Sequence, residues 1–333
     1  MNKDILIQTI ARLMMPPKGI LAIDEGFPTC NKRFEELGVL PSEEKRREYR
    51  ELLITTPNIE KYISGYILFD ETIKQSIKDG KDFVLILQEK GIDVGIKVDQ
   101  GLIDFSLNKK EKITKGLDDL KERLLEYKNM GATFAKWRAV YLIDENIPSV
   151  ECMKENANIL AKYAEVCQEL NIVPIIEPEV LFNGKHNIEK CYEVTAKNLY
   201  IIFNELNKLN VFIPGIILKT SMVLSGKEGE EKANEEKVAE MTLKCLKENV
   251  PQNIGGIVFL SGGQSDIVAT LNLNAMHNKG SLPWSLTFSY GRAIQNSALE
   301  SWAKNPKDVV GAQIFLLERA KANSEASVGE YKR

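Results

Sequence analysis

The sequence predicts an α/β protein folded as one (β/α)8 barrel, and two observations carry that reading. First, short apolar runs end, one after another, on an ionisable or hydroxyl residue. Gly19-Ile-Leu-Ala-Ile ends on Asp24, Gly95-Ile on Lys97, Ala132-Thr-Phe-Ala on Lys136, and Ile172-Val-Pro-Ile-Ile on Glu177. Ile213-Pro-Gly-Ile-Ile-Leu ends on Lys219, Gly256-Ile-Val-Phe-Leu on Ser261, and Leu286-Thr-Phe on Ser289. Second, each run is followed by apolar residues at helical spacing. Alternating strand and helix implies a parallel sheet. With one more run ending at Phe69, the strand ends at 24, 69, 97, 136, 177, 219, 261 and 289 allow a barrel to close, with its active site at the carboxyl ends of the strands.

The elements follow in chain order. Met1-Asn-Lys-Asp-Ile-Leu-Ile-Gln mixes charge with apolar residues and reads as an amphipathic helix, not a signal peptide. The first strand ends at Asp24. Ser42-Glu-Glu opens a helix with a hydroxyl and acids where a helix N-terminus wants them. Ile63 to Phe69 supplies the second strand. Leu117, Leu120, Leu124 and Leu125 stripe a helix that stops before Gly131. Asn234-Glu-Glu opens another, with Val238, Met241, Cys245 and Leu246 on one face. Pro306 to Arg333 reads as a last helix and a short polar end. The domain expectation is therefore a single barrel over residues 1–333, with an N-terminal helix and a short C-terminal tail.

Composition bounds the function. The chain has 333 residues, 44% hydrophobic and 27% charged, an ordinary globular balance for one large core. A net charge of −3 gives no basic field for nucleic acid or an anionic membrane surface. No apolar stretch approaches the roughly 20 residues of a membrane span. Cys30, Cys152, Cys167, Cys191 and Cys245 are odd in number, widely spaced and free of any C-x-x-C pair, so reduced thiols and a cytoplasmic location are expected. His186 and His277 are the only histidines and show no ligand spacing; His277 reads as a surface or interface residue. No dinucleotide or P-loop motif is present. Neither a metal nor a cofactor is expected.

The chemistry-bearing residues suit amine catalysis on a phosphorylated carbonyl compound. A lysine amine must be neutral to attack a carbonyl, and desolvation and nearby cations both favour the neutral form. Lys219 closes a buried strand, and Lys97 and Lys136 point into the same mouth. One such lysine could simply reach out to solvent; three at three strand ends favour chemistry. Glu177 is expected to act as a carboxylic acid with a raised pKa, protonating the leaving hydroxyl of a carbinolamine. A structural ion pair with Lys136 or Lys219 is the other reading, and both can hold together. Glu179, placed with the catalytic set, is expected to pair with a lysine. Asp24 reads equally as a helix cap and as the group that orients or accepts a hydroxyl proton. Ser261-Gly-Gly-Gln264 and Ser289-Tyr-Gly-Arg292 follow the seventh and eighth strands, the common phosphate position of this barrel. There the backbone N–H groups around Gly262, Gly263 and Gly291 converge beside the Arg292 fork.

These segments resemble the class I (Schiff-base) fructose-bisphosphate aldolases over nearly the whole chain. The matching stretches are Lys18-Gly-Ile-Leu-Ala-Ile-Asp-Glu25, Gly95-Ile-Lys-Val-Asp99, Phe134-Ala-Lys-Trp-Arg138, Val173-Pro-Ile-Ile-Glu-Pro-Glu179, Leu260-Ser-Gly-Gly-Gln264 and Leu286-Thr-Phe-Ser-Tyr-Gly-Arg-Ala293. The resemblance implies that Lys219 forms the imine and Glu177 is its general acid and base. Asp24 and Lys136 would flank the scissile bond. Ser261, Gly262, Ser289, Gly291 and Arg292 would hold a phosphate, and Arg33, Lys97 and Arg138 would line the substrate channel. It also implies metal-free, reversible cleavage of fructose 1,6-bisphosphate to dihydroxyacetone phosphate and glyceraldehyde 3-phosphate by a homotetramer. Three departures stand out. Asp24-Glu-Gly-Phe-Pro-Thr29 has Gly26 where the family usually has a serine, although Thr29 keeps a hydroxyl for the far phosphate. Leu218-Lys-Thr-Ser-Met-Val223 replaces Leu-Lys-Pro-Asn-Met-Val. The sequence ends at Lys332-Arg333, soon after Tyr331, where the animal enzymes carry a tail ending in tyrosine. Gly26 also motivates another ketose phosphate as substrate, such as sedoheptulose 1,7-bisphosphate or a monophosphate. A barrel that binds without turnover is the non-enzymatic alternative, and the presence of every charged site residue weighs against it.

Overall fold

The computed structural model describes residues 1–105 and 108–332, so Arg333 at the end of the expected tail lies outside the described residues. Ten strands occur among them: β1 (Gly19–Ile23), β2 (Ile63–Leu68), β3 (Asp93–Lys97), β4 (Leu102–Phe105), β5 (Asn108–Thr114), β6 (Phe134–Tyr141), β7 (Val173–Val180), β8 (Ile217–Thr220), β9 (Gly256–Phe259) and β10 (Leu286–Tyr290). Eight close into a parallel barrel in the order β1-β10-β9-β8-β7-β6-β3-β2. The remaining two, β4 and β5, form an antiparallel hairpin beyond β3 that the sequence reading did not anticipate.

Period-two alternation puts every second side chain inside the barrel. At the amino end those side chains are apolar: Ile20, Ala22, Ile67, Phe134, Val173, Ile175, Ile217 and Val258 form one buried cluster. The helix Lys3–Leu13 closes that end by adding Leu6, Ile10 and Leu13 to the same cluster. Packing there is tight enough to demand glycine, since a Cβ on Gly95 would lie 2.1 Å from the Phe134 ring.

The alternation also corrects two strand ends. β6 and β7 do not stop at Lys136 and Glu177 but continue to Tyr141 and Val180, paired in register throughout (Arg138 with Glu177, Val140 with Glu179). A charged residue interrupts an apolar run without breaking the strand, because the mouth of the barrel is polar while the outer face stays covered by helices.

The expected caps form. Ser42 Oγ accepts from Lys45 N–H at 3.1 Å, and Asn234 Oδ1 accepts from Lys237 N–H at 2.9 Å. Val238, Met241, Cys245 and Leu246 are all buried. In the helix Leu120–Asn129 the leucine stripe is narrower than expected: Leu120 and Leu124 are buried, but Leu125 is exposed. The last helix, Val309–Ala326, packs on the helices that flank β9 and β10. His277 is half-buried, with Nε2 3.0 Å from the Leu286 carbonyl, so it braces the start of β10 rather than facing solvent. All five cysteines are free and buried. No helix among the described residues is long and apolar enough to cross a membrane.

Candidate active site

At the carboxyl end the inward positions turn from apolar to charged. A cavity of about 860 Å³ opens there, and its wall includes Asp24, Lys97, Lys136, Glu177 and Lys219. Lys136 and Arg138 follow Phe134 on the inward face of β6; Glu177 and Glu179 follow Val173 and Ile175 on β7; Lys219 follows Ile217 on β8. Lys136, Glu177 and Lys219 therefore each stand on an apolar residue two positions earlier, which fixes them against the plug, and Arg138 and Glu179 stand one step further out.

The floor is one chain of ion pairs. Lys136 Nζ lies 2.7 Å from Asp24 Oδ2 and 3.1 Å from Glu177 Oε2, and Lys219 Nζ lies 3.1 Å from Glu177 Oε1. Lys136, Glu177 and Lys219 are each at most 4% exposed. Burial disfavours charge on both acids, yet the lysines outweigh it. Lys136, Lys219 and Lys97 hold the Asp24 carboxyl well below the usual carboxylate range, and Lys136 and Lys219 hold Glu177 below it. Likewise burial opposes the Lys136 charge, but Asp24 and Glu177 keep its pKa above the ordinary lysine value. The lysines thus lower the Glu177 pKa, where the sequence led to the expectation of a raised one. Two adjacent ammonium groups stabilise its charge more than desolvation costs it.

The upper wall holds further pairs. Lys97 Nζ donates to Asp99 Oδ1 at 2.7 Å and to the Asp99 carbonyl at 2.8 Å. Glu179 takes Arg138 Nε at 2.5 Å, an arginine and not the expected lysine, because the two residues sit inward on neighbouring strands above Lys136 and Glu177. Arg33 Nη1 lies 2.5 Å from Glu25 Oε1, while Arg50 Nη2 holds the other oxygen at 3.0 Å. Lys97 and Lys136, expected to act on Lys219 as bare cations, therefore each carry a carboxylate partner.

The phosphate-loop residues gather after β9 and β10, across the barrel from Lys97 and Arg138 on β3 and β6. Ser261, Gly262, Ser289, Gly291 and Arg292 line the cavity, whereas Gly263 lies just behind it, where a Cβ would come 3.9 Å from Arg292 Nη2. Gly262 and Gly263 have φ of +58° and +92°, so the turn after β9 takes left-handed conformations that suit glycine. Ser289 Oγ is buried and has no hydrogen-bond partner among the described residues. A buried hydroxyl and an arginine fork on the wall of one cavity suit an anion. Thr29 and Gly26 also line the cavity, at the start of the helix Phe27–Glu36 that follows β1, the neighbour of β10. The sequence reading missed Asp99 as the partner of Lys97, Glu25 as the partner of Arg33, and Lys32 on the cavity wall. The signal was available: each carboxylate sits within two residues of a strand-end residue already singled out.

The fold and this arrangement define a barrel enzyme built for lysine chemistry on an anionic carbonyl compound. Among the described residues no group of three or more histidines, cysteines or carboxylates is arranged to hold a metal ion. The chain belongs to the class I fructose-bisphosphate aldolases: that family's signature, described as "Fructose-bisphosphate aldolase class-I", matches residues 5–333. It is 51% identical over 336 residues to a probable class 1 fructose-bisphosphate aldolase of Xanthomonas campestris, covering 100% of both chains. It is 48% identical to cytosolic fructose-bisphosphate aldolase 4 of Arabidopsis thaliana, covering 98% of this chain and 84% of that one. A solved structure of the Plasmodium falciparum aldolase, in complex with TRAP and a small-molecule inhibitor, superposes with a TM-score of 0.97 at 44% identity, over 99% of this chain and 96% of that one. The reaction of the family is the reversible, metal-independent cleavage of fructose 1,6-bisphosphate to two triose phosphates through a Schiff base, a step of glycolysis and gluconeogenesis.

Proposed function

We propose that Lys219 is the imine-forming lysine of this aldolase and that Glu177 carries its protons. The observation behind this is the 3.1 Å contact between Lys219 Nζ and Glu177 Oε1 on the cavity floor. Moving one proton along that contact yields a neutral amine and a neutral carboxylic acid side by side. The amine adds to the ketose carbonyl, and the acid returns the proton to the carbinolamine hydroxyl, which leaves as water. The protonated imine then draws electrons from the C3–C4 bond as the C4 hydroxyl loses its proton. Asp24, kept ionised by Lys136, orients or accepts that proton. The aldehyde departs, and the enamine is protonated and hydrolysed with Glu177 in the reverse role.

Ser261, Gly262, Ser289, Gly291 and Arg292 bind the phosphate next to the imine, with Gly263 shaping their turn. Arg33, Lys97, Arg138 and Thr29 face the other half of the sugar, and Glu179 acts by holding Arg138. The whole chain, residues 1–333, works as one barrel domain with its N-terminal helix and short tail. We further propose a cytoplasmic homotetramer acting on a small ketose bisphosphate, with no nucleic acid or membrane partner. Five reduced, buried thiols support that compartment, and light scattering during size exclusion tests the assembly.

Borohydride trapping with fructose 1,6-bisphosphate in excess chelator, followed by peptide mapping, tests the chemistry. Reduction of the imine leaves a secondary amine, so a triose phosphate adduct on Lys219 is expected. Loss of trapping under chelation, or an adduct on Lys136 or Lys97 instead, overturns the assignment.

A further inference from the structure

Asp99 does not line the cavity, yet it organises two side chains that do. It is buried, with its own side chain 5% exposed. Its Oδ1 and its backbone carbonyl both accept from Lys97 Nζ, at 2.7 and 2.8 Å. Its Oδ2 accepts from the backbone N–H of Arg138 at 3.3 Å, across the β3–β6 seam. The seam continues there beyond the regular strand, since Val98 N–H donates to the Lys136 carbonyl at 3.1 Å. One carboxylate thus fixes the direction of Lys97 and the position from which Arg138 projects.

We infer that Asp99 is a positioning residue that sets how strongly the enzyme grips the phosphate remote from the imine. A lysine side chain has four rotatable bonds and three donors. Two of the Lys97 donors are committed to Asp99, which leaves one for a ligand, and the Lys97 side chain, 18% exposed, lines the cavity. Ordering the ammonium before the substrate arrives removes that entropy cost from binding. Arg292 and the glycine turns follow β9 and β10, across the barrel from the β3–β6 seam that Asp99 bridges. The two side chains that Asp99 holds, Lys97 and Arg138, are the ones assigned to the remote half of the sugar, so the largest effect is expected there.

This inference rests on reading the cavity as a ketose bisphosphate site, and the experiment separates the two. Wild-type, Asp99→Ala and Asp99→Asn proteins are compared by steady-state kinetics with fructose 1,6-bisphosphate and fructose 1-phosphate, and by borohydride trapping with dihydroxyacetone phosphate. Asp99→Ala is expected to raise KM for the bisphosphate about tenfold, the loss of one charge-assisted hydrogen bond. KM for the monophosphate and the dependence of trapping on triose phosphate concentration stay within about twofold of wild type. Asp99→Asn keeps an acceptor at Oδ1 and recovers most of the bisphosphate KM. Equal losses on both sugars, or no loss in either variant, overturn the positioning role. If Asp99→Ala is too unstable to assay, Asp99→Ser takes its place: a higher KM for the bisphosphate alone supports the inference, and an equal change on both sugars, or no change, overturns it. Failure of wild-type trapping refutes the bisphosphate reading itself.

Discussion

The two ends of the barrel are built from the same strands and differ in everything but direction. At the amino end, Phe134, Val173, Ile175 and Ile217 pack against Leu6, Ile10 and Leu13 with no room for a methyl group at Gly95. Two residues further along the same strands stand Lys136, Glu177 and Lys219, linked by ion pairs around a cavity of about 860 Å³. The plug makes the mouth possible. Buried charges cost free energy and stay in place only if the backbone beneath them cannot relax. The dry layer supplies that rigidity, so stability and chemistry are divided between the ends, as is general for this barrel.

Substitutions at each end sharpen the division. Lys219→Ala should abolish cleavage and trapping, lowering kcat/KM by at least about 10⁴-fold, because no other amine on the floor touches Glu177 with a free role. Activity surviving that change would locate the nucleophile elsewhere. Glu177→Gln keeps the shape but not the proton shuttle, and kcat should fall by about 10²–10⁴-fold. An unchanged kcat would mean that water carries the proton. At the other end, Leu13→Ala should cost about 2–5 kcal/mol in urea unfolding while leaving KM unaltered. A selective loss of activity there would show that the plug and the mouth are coupled more tightly than the layers suggest.

The carboxylates of the mouth should hold their charge well into acid. Asp24 is held below its ordinary value of 3.8 by lysines, so it contributes stability above that pH. The contribution disappears as pH falls through its still lower folded-state value. Asp24→Asn removes the contribution outright. The stability gap between wild type and variant should therefore hold constant from about pH 7 to about pH 5 and narrow only below about pH 4 in a urea series. A constant gap would mean that the substitution acts through packing. The smallest effect is expected outside both ends: Leu125→Ala, on an exposed position, should change stability by no more than about 0.5 kcal/mol.

Most of the barrel was legible because the change from dry plug to charged mouth is written along each strand. An apolar run that stops on a lysine or acid marks the point where a side chain leaves the core. The same signal misplaced the ends of β6 and β7, since a charged inward residue does not end a strand whose outward residues, Trp137 and Ala139 on β6 and Ile176 on β7, remain buried. The β4–β5 hairpin was missed because Asn108-Lys-Lys-Glu-Lys112 reads as solvated charge. Its pairing comes from the backbone and from ion pairs such as Lys112 with Asp104. In the site, the residue types were readable but their partners were not. Glu177 was expected as an acid because a sequence reveals burial better than it reveals two ammonium groups at 3.1 Å. Asp99, Glu25 and the Glu179–Arg138 pair depend on contacts across strands and helices that spacing alone does not specify.

The closure of the barrel fixes an order of events at birth. β1 pairs with β10, so Ile20 finds its neighbour Ser289 only after some of the last residues of the sheet exist. Translation at about 5–20 residues per second separates the two strands by roughly 10–50 s. During that interval β1 has an unpaired edge, and the apolar face of the helix Lys3–Leu13 waits for Ile217 and Val258. The nascent chain therefore passes through a long open stage in which it offers a sticky strand edge to any neighbour, and its yield in a cell should depend on how well chaperones shield that edge until β10 emerges.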